Sequence, residues 1–263
     1  MNSSNPIGVF DSGIGGLTVA SAINKLLPNE RLIYFGDTQH LPYGNKSVQE
    51  IDYYSQVITN FLINKKCKAI VIACNSAASS FSGLEHNCLF FNVIDPVIQY
   101  IKKTETIKHV GVIGTKATIK SNIYQKKINS VRTNVKVSSL ATPRLASLIE
   151  EDDERLYENQ ILNSYLEDEK LKKIDSIILG CTHYPLIEKK IQDFYKSRVR
   201  IISSIEHIAS YIKEKLIREK LLNQNPLRLK HNFYVSKYSR GFQQKTKLFF
   251  PKSIILQEEN IFS

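Results

Sequence analysis

Residues 69–75 read AIVIACN, and residues 176–182 read SIILGCT. Each stretch is a short apolar run that suits a buried strand and is far too short to span a bilayer. Continuous apolar runs are typical of parallel strands whose two faces are both covered by helices. The two stretches therefore predict two buried strands, each ending in a cysteine and a polar residue. In open parallel sheets, ligands bind at this carboxyl end.

Both cysteine strands belong to a diverged internal repeat. Residues 7–12 (IGVFDS) resemble residues 110–115 (VGVIGT), much as the two cysteine stretches resemble each other. Ser12 precedes Cys74 by 62 residues, and Thr115 precedes Cys181 by 66. Near-equal spacing of two matched pairs predicts two related α/β lobes. We expect residues 1–97 plus 207–263 to form the first lobe and residues 98–206 the second.

Strand-like and helix-like segments alternate along the chain, which is typical of doubly wound parallel sheets covered by helices. The predicted strands are residues 7–10, 32–35, 69–73, 92–94, 110–113, 135–138, 174–179, 199–202, 233–235 and 253–256. The predicted helices are residues 17–27, 48–65, 117–130, 159–169, 186–195 and 205–219, with a further helix start at 76–80. The fold class is therefore α/β.

Composition narrows the class of protein. The chain has 263 residues, is 42% hydrophobic and carries a net charge of +11. A positive charge of this size suggests a nucleic acid as a partner. Because the basic residues are spread along helices and the tail, we expect no nucleic-acid partner. The first residues lack the basic and apolar regions of a signal peptide. We therefore expect a cytoplasmic protein without a membrane partner.

The four cysteines are widely spaced and form no C-x-x-C pair. In a cytoplasmic chain they should be free thiols, and no zinc spacing accompanies them. Other motifs fail: residues 13–18 (GIGGLT) lack the last glycine or alanine of a dinucleotide-binding loop, and the chain has no Walker A sequence and no G-x-S-x-G elbow.

Four polar motifs that follow predicted strands or turns contain the candidate site residues. They are Asp11-Ser12-Gly13, Pro42-Tyr43-Gly44, Cys74-Asn75-Ser76 and Cys181-Thr182-His183. Asn75, Ser76 and Thr182 can donate hydrogen bonds to a carboxylate. Tyr43 and Gly44 form a turn that could close over a small ligand.

Cys74 and Cys181 suggest a specific chemistry. Inverting a carbon centre by proton transfer needs a base on one face and an acid on the other. Because both cysteines precede candidate helix starts, which lower the pKa of a thiol, we expect a thiolate. Asp11 and His183 could orient or assist the thiols. Cys67 and Cys88 are interpreted as buried structural thiols because no polar motif follows either one.

Taken in chain order, these motifs resemble the aspartate/glutamate racemase family, and the glutamate racemases in particular. The similar stretches are residues 10–19 (FDSGIGGLTV), 36–38 (GDT), 41–44 (LPYG), 73–77 (ACNSA) and 179–186 (LGCTHYPL). The similarity covers residues 7 to about 220. Ser76 stands where the family usually has threonine, which keeps the hydroxyl, and the loop at Gln39 and His40 also departs from the family.

The resemblance implies an active site between the two lobes and an enzyme that needs no pyridoxal phosphate, flavin or metal. It implies that Cys74 takes the α-proton from D-glutamate and Cys181 takes it from L-glutamate. By the same matching, the substrate would be held by Asp11, Ser12, Tyr43, Gly44, Asn75, Ser76, Thr182 and His183. Glu150 resembles an acidic residue near the second thiol. The implied role is to supply D-glutamate for peptidoglycan.

Two alternatives stay open from the sequence. One is a two-cysteine racemase for another amino acid such as aspartate, since one methylene changes specificity by only about 1–3 kcal/mol. The other is a catalytically idle binding protein, against which the presence of both cysteines argues. The oligomeric state is undetermined, with a homodimer as one option.

Overall fold

The computed structural model describes residues 1–151, 157–226 and 230–262. Within these residues the strands are β1 Ile7–Asp11, β2 Leu32–Gly36, β3 Ala69–Ile72, β4 Leu89–Asn92, β5 His109–Gly114, β6 Lys136–Ala141, β7 Ser176–Gly180, β8 Arg200–Ser203, β9 Asn232–Val235 and β10 Leu256–Glu258. The helices are α1 Leu17–Leu26, α2 Val48–Asn64, α3 Asn75–Ser80, α4 Ile94–Lys103, α5 Lys116–Lys120, α6 Ile123–Val131, α7 Leu145–Glu150, α8 Tyr157–Leu166, α9 Glu188–Phe194, α10 Ser204–Arg218 and α11 Arg240–Phe249.

All strand pairs are parallel and form two sheets. The first sheet has the order β10-β9-β2-β1-β3-β4, and the second has the order β6-β5-β7-β8. The strands β2-β1-β3-β4 of the first sheet thus correspond in order to the whole second sheet. The predicted α/β class with two similar parallel sheets is confirmed, and the two cysteine strands, β3 and β7, occupy matching positions.

Each sheet is covered on both faces. Along β1, Val9 packs into one hydrophobic cluster while the next residue, Phe10, packs into another on the opposite face. In β7, Ile177 and Ile178 divide between two clusters in the same way. This alternation follows from the two-residue period of a strand. It explains why these strands read as unbroken apolar runs.

Local chemistry corrects two predicted elements. The strand predicted for residues 92–94 ends at Asn92, whose Oδ1 accepts the backbone N–H groups of Ile94 and Asp95 and so begins helix α4. Pro96 lies in the first turn of α4, where a proline costs no helical hydrogen bond. The single helix predicted for residues 117–130 is split into α5 and α6 at Asn122, whose φ is 56°. Asparagine tolerates this left-handed conformation.

The C-terminal segment extends the first sheet. Strand β9 pairs with β2, and β10 pairs with β9. Between them lies α11, which the sequence analysis did not predict. The strand predicted for residues 253–256 begins instead at Leu256. No helix in the described part of the chain is both long and apolar enough to cross a membrane.

Candidate active site

A cavity of about 90 Å³ lies at the carboxyl ends of strands from both sheets. Within the described residues, ten of the eleven predicted site residues line it: Ser12, Tyr43, Gly44, Cys74, Asn75, Ser76, Glu150, Cys181, Thr182 and His183. The wall is completed by Gly13, Leu41, Pro42, Thr115, Ala146 and Ser147. Two thiols from matching strand ends therefore share one small cavity.

Cys74 is the N-cap of α3. Its Sγ accepts the backbone N–H of Ala77 at 3.5 Å and lies 3.6 Å from Ser12 Oγ. Burial, followed by the nearby charge of Asp11, raises the pKa of the Cys74 thiol to about 12. Desolvation outweighs the helix amide at Cys74, so burial disfavours the thiolate that a helix start favours.

The environment of Cys181 is different. It precedes a short 3-10 turn, Tyr184–Ile187, rather than an α-helix, and its Sγ lies 3.6 Å from His183 Nδ1. His183 Nε2 lies 3.3 Å from Glu150 Oε2. Burial opposes the charged imidazolium, yet the hydrogen bonds to Cys181 and Glu150 raise the pKa of His183 to about 10. The imidazole of His183 thus connects the Cys181 thiol to the Glu150 carboxylate.

The two thiols thus share one cavity but have unlike hydrogen-bond partners. With one thiol ionised and the other protonated, the pair supplies a base and an acid. A carbon atom held between them meets an acid on one side and a base on the other. The arrangement is therefore suited to proton transfer that inverts a carbon centre.

Asp11 does not line the cavity. Its carboxylate is fully buried, where it accepts the Gly13 N–H at 2.9 Å and the Thr182 hydroxyl at 3.3 Å. Burial raises the pKa of Asp11, and the charge of His183 opposes that rise. Thr18 also donates its hydroxyl to the Thr182 carbonyl oxygen at 3.3 Å. Asp11 thus links the two sheets behind the cavity wall and acts on the site through Thr182 and through its charge.

Asn75 has an unused hydrogen-bond donor. Its Oδ1 accepts the Tyr124 hydroxyl at 2.6 Å, which fixes the amide orientation. Its Nδ2 is buried and has no hydrogen-bond partner among the described residues. Buried donors are almost always paired. An anionic ligand in the cavity would satisfy this one.

Thr115 is a cavity residue that the sequence analysis did not select. Its Oγ1 lies 2.8 Å from Ser76 Oγ, so it joins the end of β5 to the start of α3 across the cavity. The internal repeat could have identified this residue, because Thr115 occupies the position in the second half of the chain that Ser12, a predicted site residue, occupies in the first. Gly44 packs closely here, since a Cβ at that position would lie 2.7 Å from Thr115 Cβ.

Tyr43 is held from behind by Asp37. The Tyr43 hydroxyl donates to Asp37 Oδ2 at 2.7 Å, and Ser236 donates to Asp37 Oδ1 at 2.7 Å. His40 Nδ1 lies 2.9 Å from the same carboxylate. The Tyr43 hydroxyl is therefore already paired, and it is the position of the ring that shapes the cavity. Sequence reasoning quoted Asp37 within a motif but gave it no role.

Gly15 must remain a glycine for His183 to keep its position. A Cβ at Gly15 would lie 2.4 Å from His183 Cε1 and 2.8 Å from Thr182 Oγ1. Gly15→Ala is expected to displace the imidazole and to lower kcat/KM by up to about 10²-fold, as a misplacement of about 1 Å can do. Steady-state kinetics measure this. Gly241→Ala is the control, since its nearest neighbour would be Ser239 Oγ at 3.8 Å, and equal rates in both variants would contradict the prediction.

Within residues 1–151, 157–226 and 230–262, no group of three or more His, Cys, Asp or Glu side chains is arranged to hold a metal ion. The titratable groups at the cavity instead pair with one another, as His183 does with Glu150.

Comparison with known proteins gives consistent matches over nearly the whole chain. The family Asp/Glu/hydantoin racemase matches residues 7–212. Glutamate racemase 3 of Caldanaerobacter subterraneus subsp. tengcongensis is 37% identical over 245 residues, which cover 92% of this chain and 90% of that protein.

Solved structures agree. A glutamate racemase isoform from Bacillus anthracis superposes with a TM-score of 0.92 at 35% identity, covering 98% of both chains. The glutamate racemase of Francisella tularensis, solved in complex with D-glutamate, gives a TM-score of 0.92 at 32% identity and covers 99% of both chains.

Proposed function

The chain belongs to the Asp/Glu/hydantoin racemase family and is an amino-acid racemase, and from this premise we propose that it interconverts L- and D-glutamate by two-cysteine acid/base catalysis. The observation that carries the proposal is the single cavity lined by Cys74 and Cys181 in unlike environments. The glutamate racemase relatives support glutamate as the substrate.

The proposed reaction from L-glutamate begins at the second sheet. The Cys181 thiolate takes the α-proton and becomes a thiol, and the electron pair of the broken C–H bond moves onto the α-carbon and its carboxylate. The Cys74 thiol then gives its proton to the opposite face of that carbon and becomes a thiolate. D-glutamate is released, and the reverse reaction exchanges the two roles.

Hydrogen-bond donors hold the substrate in this proposal. Asn75 Nδ2, which lacks a partner within the described structure, would bind a carboxylate. The hydroxyls of Ser12, Ser76 and Thr182 at the cavity wall supply further donors. Such fixed donors stabilise the negative charge that develops as the α-proton leaves.

Circular dichroism of the purified protein tests the proposal. L-glutamate and D-glutamate should each lose optical activity without added pyridoxal phosphate or metal, while L-aspartate should react much more slowly. Faster reaction with aspartate would reassign the substrate. Activity that disappears on dialysis against chelator, and returns only with a cofactor, would refute the cofactor-independent mechanism.

Biologically, we propose that the enzyme supplies D-glutamate for peptidoglycan in the cytoplasm. All four cysteines are free thiols, which supports a reducing compartment. Growth of a D-glutamate auxotroph expressing this chain would test the role, with a variant lacking both active-site thiols as the control.

We further propose that residues 1–97 plus 207–263 and residues 98–206 move as two lobes that close on the substrate. The cross-sheet contacts Thr182–Asp11 and Ser76–Thr115 border the cavity and support this division. Both lobe boundaries lie inside helices, residues 97–98 in α4 and residues 206–207 in α10. Small-angle X-ray scattering with and without glutamate would test the closure, since the closed protein should have a smaller radius of gyration.

A further inference from the structure

His183 is held on several sides. Its Nδ1 lies 3.6 Å from Cys181 Sγ and its Nε2 lies 3.3 Å from Glu150 Oε2. Its ring packs against Gly15, where no side chain could fit. A further neighbour is Phe249, whose ring centroid lies 5.5 Å from that of His183 at an interplanar angle of 83°.

Phe249 reaches this position from a distant part of the chain. It is the last residue of α11, it is 3% exposed, and it belongs to the core of the first sheet. The next residue, Phe250, is 1% exposed, and its ring contacts that of Phe233 edge-on. The C-terminal segment thus presents one of two adjacent buried rings to the imidazole.

This contact restricts His183 in a way that the two hydrogen bonds alone do not. Hydrogen bonds at Nδ1 and Nε2 leave the imidazole free to tilt about the line that joins the two nitrogens. A perpendicular aromatic neighbour at this distance opposes the tilt, and perpendicular ring pairs are a favoured geometry.

We propose that Phe249 is a positioning residue that fixes the His183 imidazole between Cys181 and Glu150, so that it supports proton transfer at Cys181 and not at Cys74. This inference rests on the proposed racemase function. Among the described residues, the hydrogen-bond partners of Cys74 are Ser12 and Ala77, and neither is a histidine. The loss of the Phe249 ring should therefore affect one face of the substrate.

Phe249→Leu tests the proposal. Phe250→Leu is the matched control, because it removes a similarly buried ring whose edge-on partner is Phe233. The assay is elimination of chloride from 3-chloroglutamate, in which a single base removes the α-proton and chloride leaves from the adjacent carbon. Each enantiomer therefore reports on one thiol. If Phe249→Leu is too unstable to purify, Phe249→Met removes the ring with a side chain that adapts to the space.

For Phe249→Leu we expect elimination from the L-enantiomer to fall about tenfold, less than the roughly 10²-fold cost of a 1 Å misplacement. Elimination from the D-enantiomer should stay within about twofold. Phe250→Leu should change both enantiomers equally. Equal losses on both faces in Phe249→Leu would overturn the proposal.

An activity-independent readout separates this inference from the proposed function. The imidazole of His183 can be titrated by NMR in histidine-labelled protein, with Cys181, Glu150 and Asp11 as the charged groups that face it. In the unsubstituted protein its pKa of about 10 depends on hydrogen bonds to Cys181 and Glu150. Phe249→Leu should move this pKa toward the ordinary value near 6.5, whereas Phe250→Leu should leave it unchanged. An unmoved pKa in Phe249→Leu would refute the positioning role even if the protein proved not to racemise glutamate.

Discussion

We expect the rate of glutamate racemisation to fall by about 10⁴-fold in Cys74→Ser and in Cys181→Ser. This is the upper end of what one general acid or base contributes. Racemisation needs both groups in each direction, so both variants should lose it with either enantiomer. A serine hydroxyl is a far weaker base than a thiolate at neutral pH. The difference between the variants should appear only in reactions that need a single base.

Elimination from 3-chloroglutamate separates the two thiols. Cys74→Ser should keep reaction with the L-enantiomer, where Cys181 and His183 remain, and lose it with the D-enantiomer. Cys181→Ser should show the mirror pattern. Two-way racemisation by either variant at the unsubstituted rate would exclude the two-base mechanism.

Cys67→Ser and Cys88→Ser are the controls for the thiol chemistry. Both residues are buried in the core on one face of the first sheet and do not line the cavity. Burial raises the pKa of Cys67 to about 12, so it rests as an inert thiol. Both control variants should racemise glutamate nearly normally once they are folded.

Lys68→Met is expected to lower the free energy of unfolding by about 3–5 kcal/mol, because it leaves a buried carboxylate without its cation. Lys68 is fully buried and its Nζ donates to Glu30 Oε2 at 2.5 Å and to the Leu221 carbonyl at 2.8 Å. Glu30 in turn accepts the Asn223 N–H at 2.8 Å. The pair therefore ties β3 to the segment that follows α10, at the end of the sheet opposite the cavity.

Thermal and urea unfolding measure the effect of Lys68→Met. At about 2–4 °C per kcal/mol for a chain of this size, the Tm should fall by roughly 6–20 °C. Lys127→Met is the matched control, since Lys127 and Asp95 form a partly exposed pair worth about 1 kcal/mol or less. The double variant Lys68→Met with Glu30→Leu should recover part of the loss. A double variant less stable than Lys68→Met alone would contradict this explanation.

The fold was predictable because its signals are local. Unbroken apolar runs with a cysteine at the end predicted β3 and β7, and the repeat predicted that they would occupy equivalent positions in two sheets. The predicted element boundaries were wrong where a single side chain overrides the hydrophobic pattern. The Asn92 side chain begins a helix where apolar residues suggested a strand, and Asn122 interrupts a helix by adopting a positive φ.

The site residues that could be predicted are the polar residues that directly follow predicted strands. The unlike surroundings of the two thiols were not predictable, because they depend on desolvation around Cys74 and on the contact of His183 with Glu150, which lies 33 residues away. Phe249 carries no local signal at all. Its contact with His183 arises only when the C-terminal segment packs against the first sheet.

The order of strands along the chain has a consequence for synthesis on the ribosome. Every strand of the second sheet lies between His109 and Ser203, so that sheet can be completed while translation continues. The first sheet must wait for β9 and β10, and until they emerge β2 is an unpaired edge of the kind that invites association with other chains. A nascent chain that stalls before Asn232 would therefore carry a finished second sheet beside an aggregation-prone first one, a state that a chaperone would need to protect.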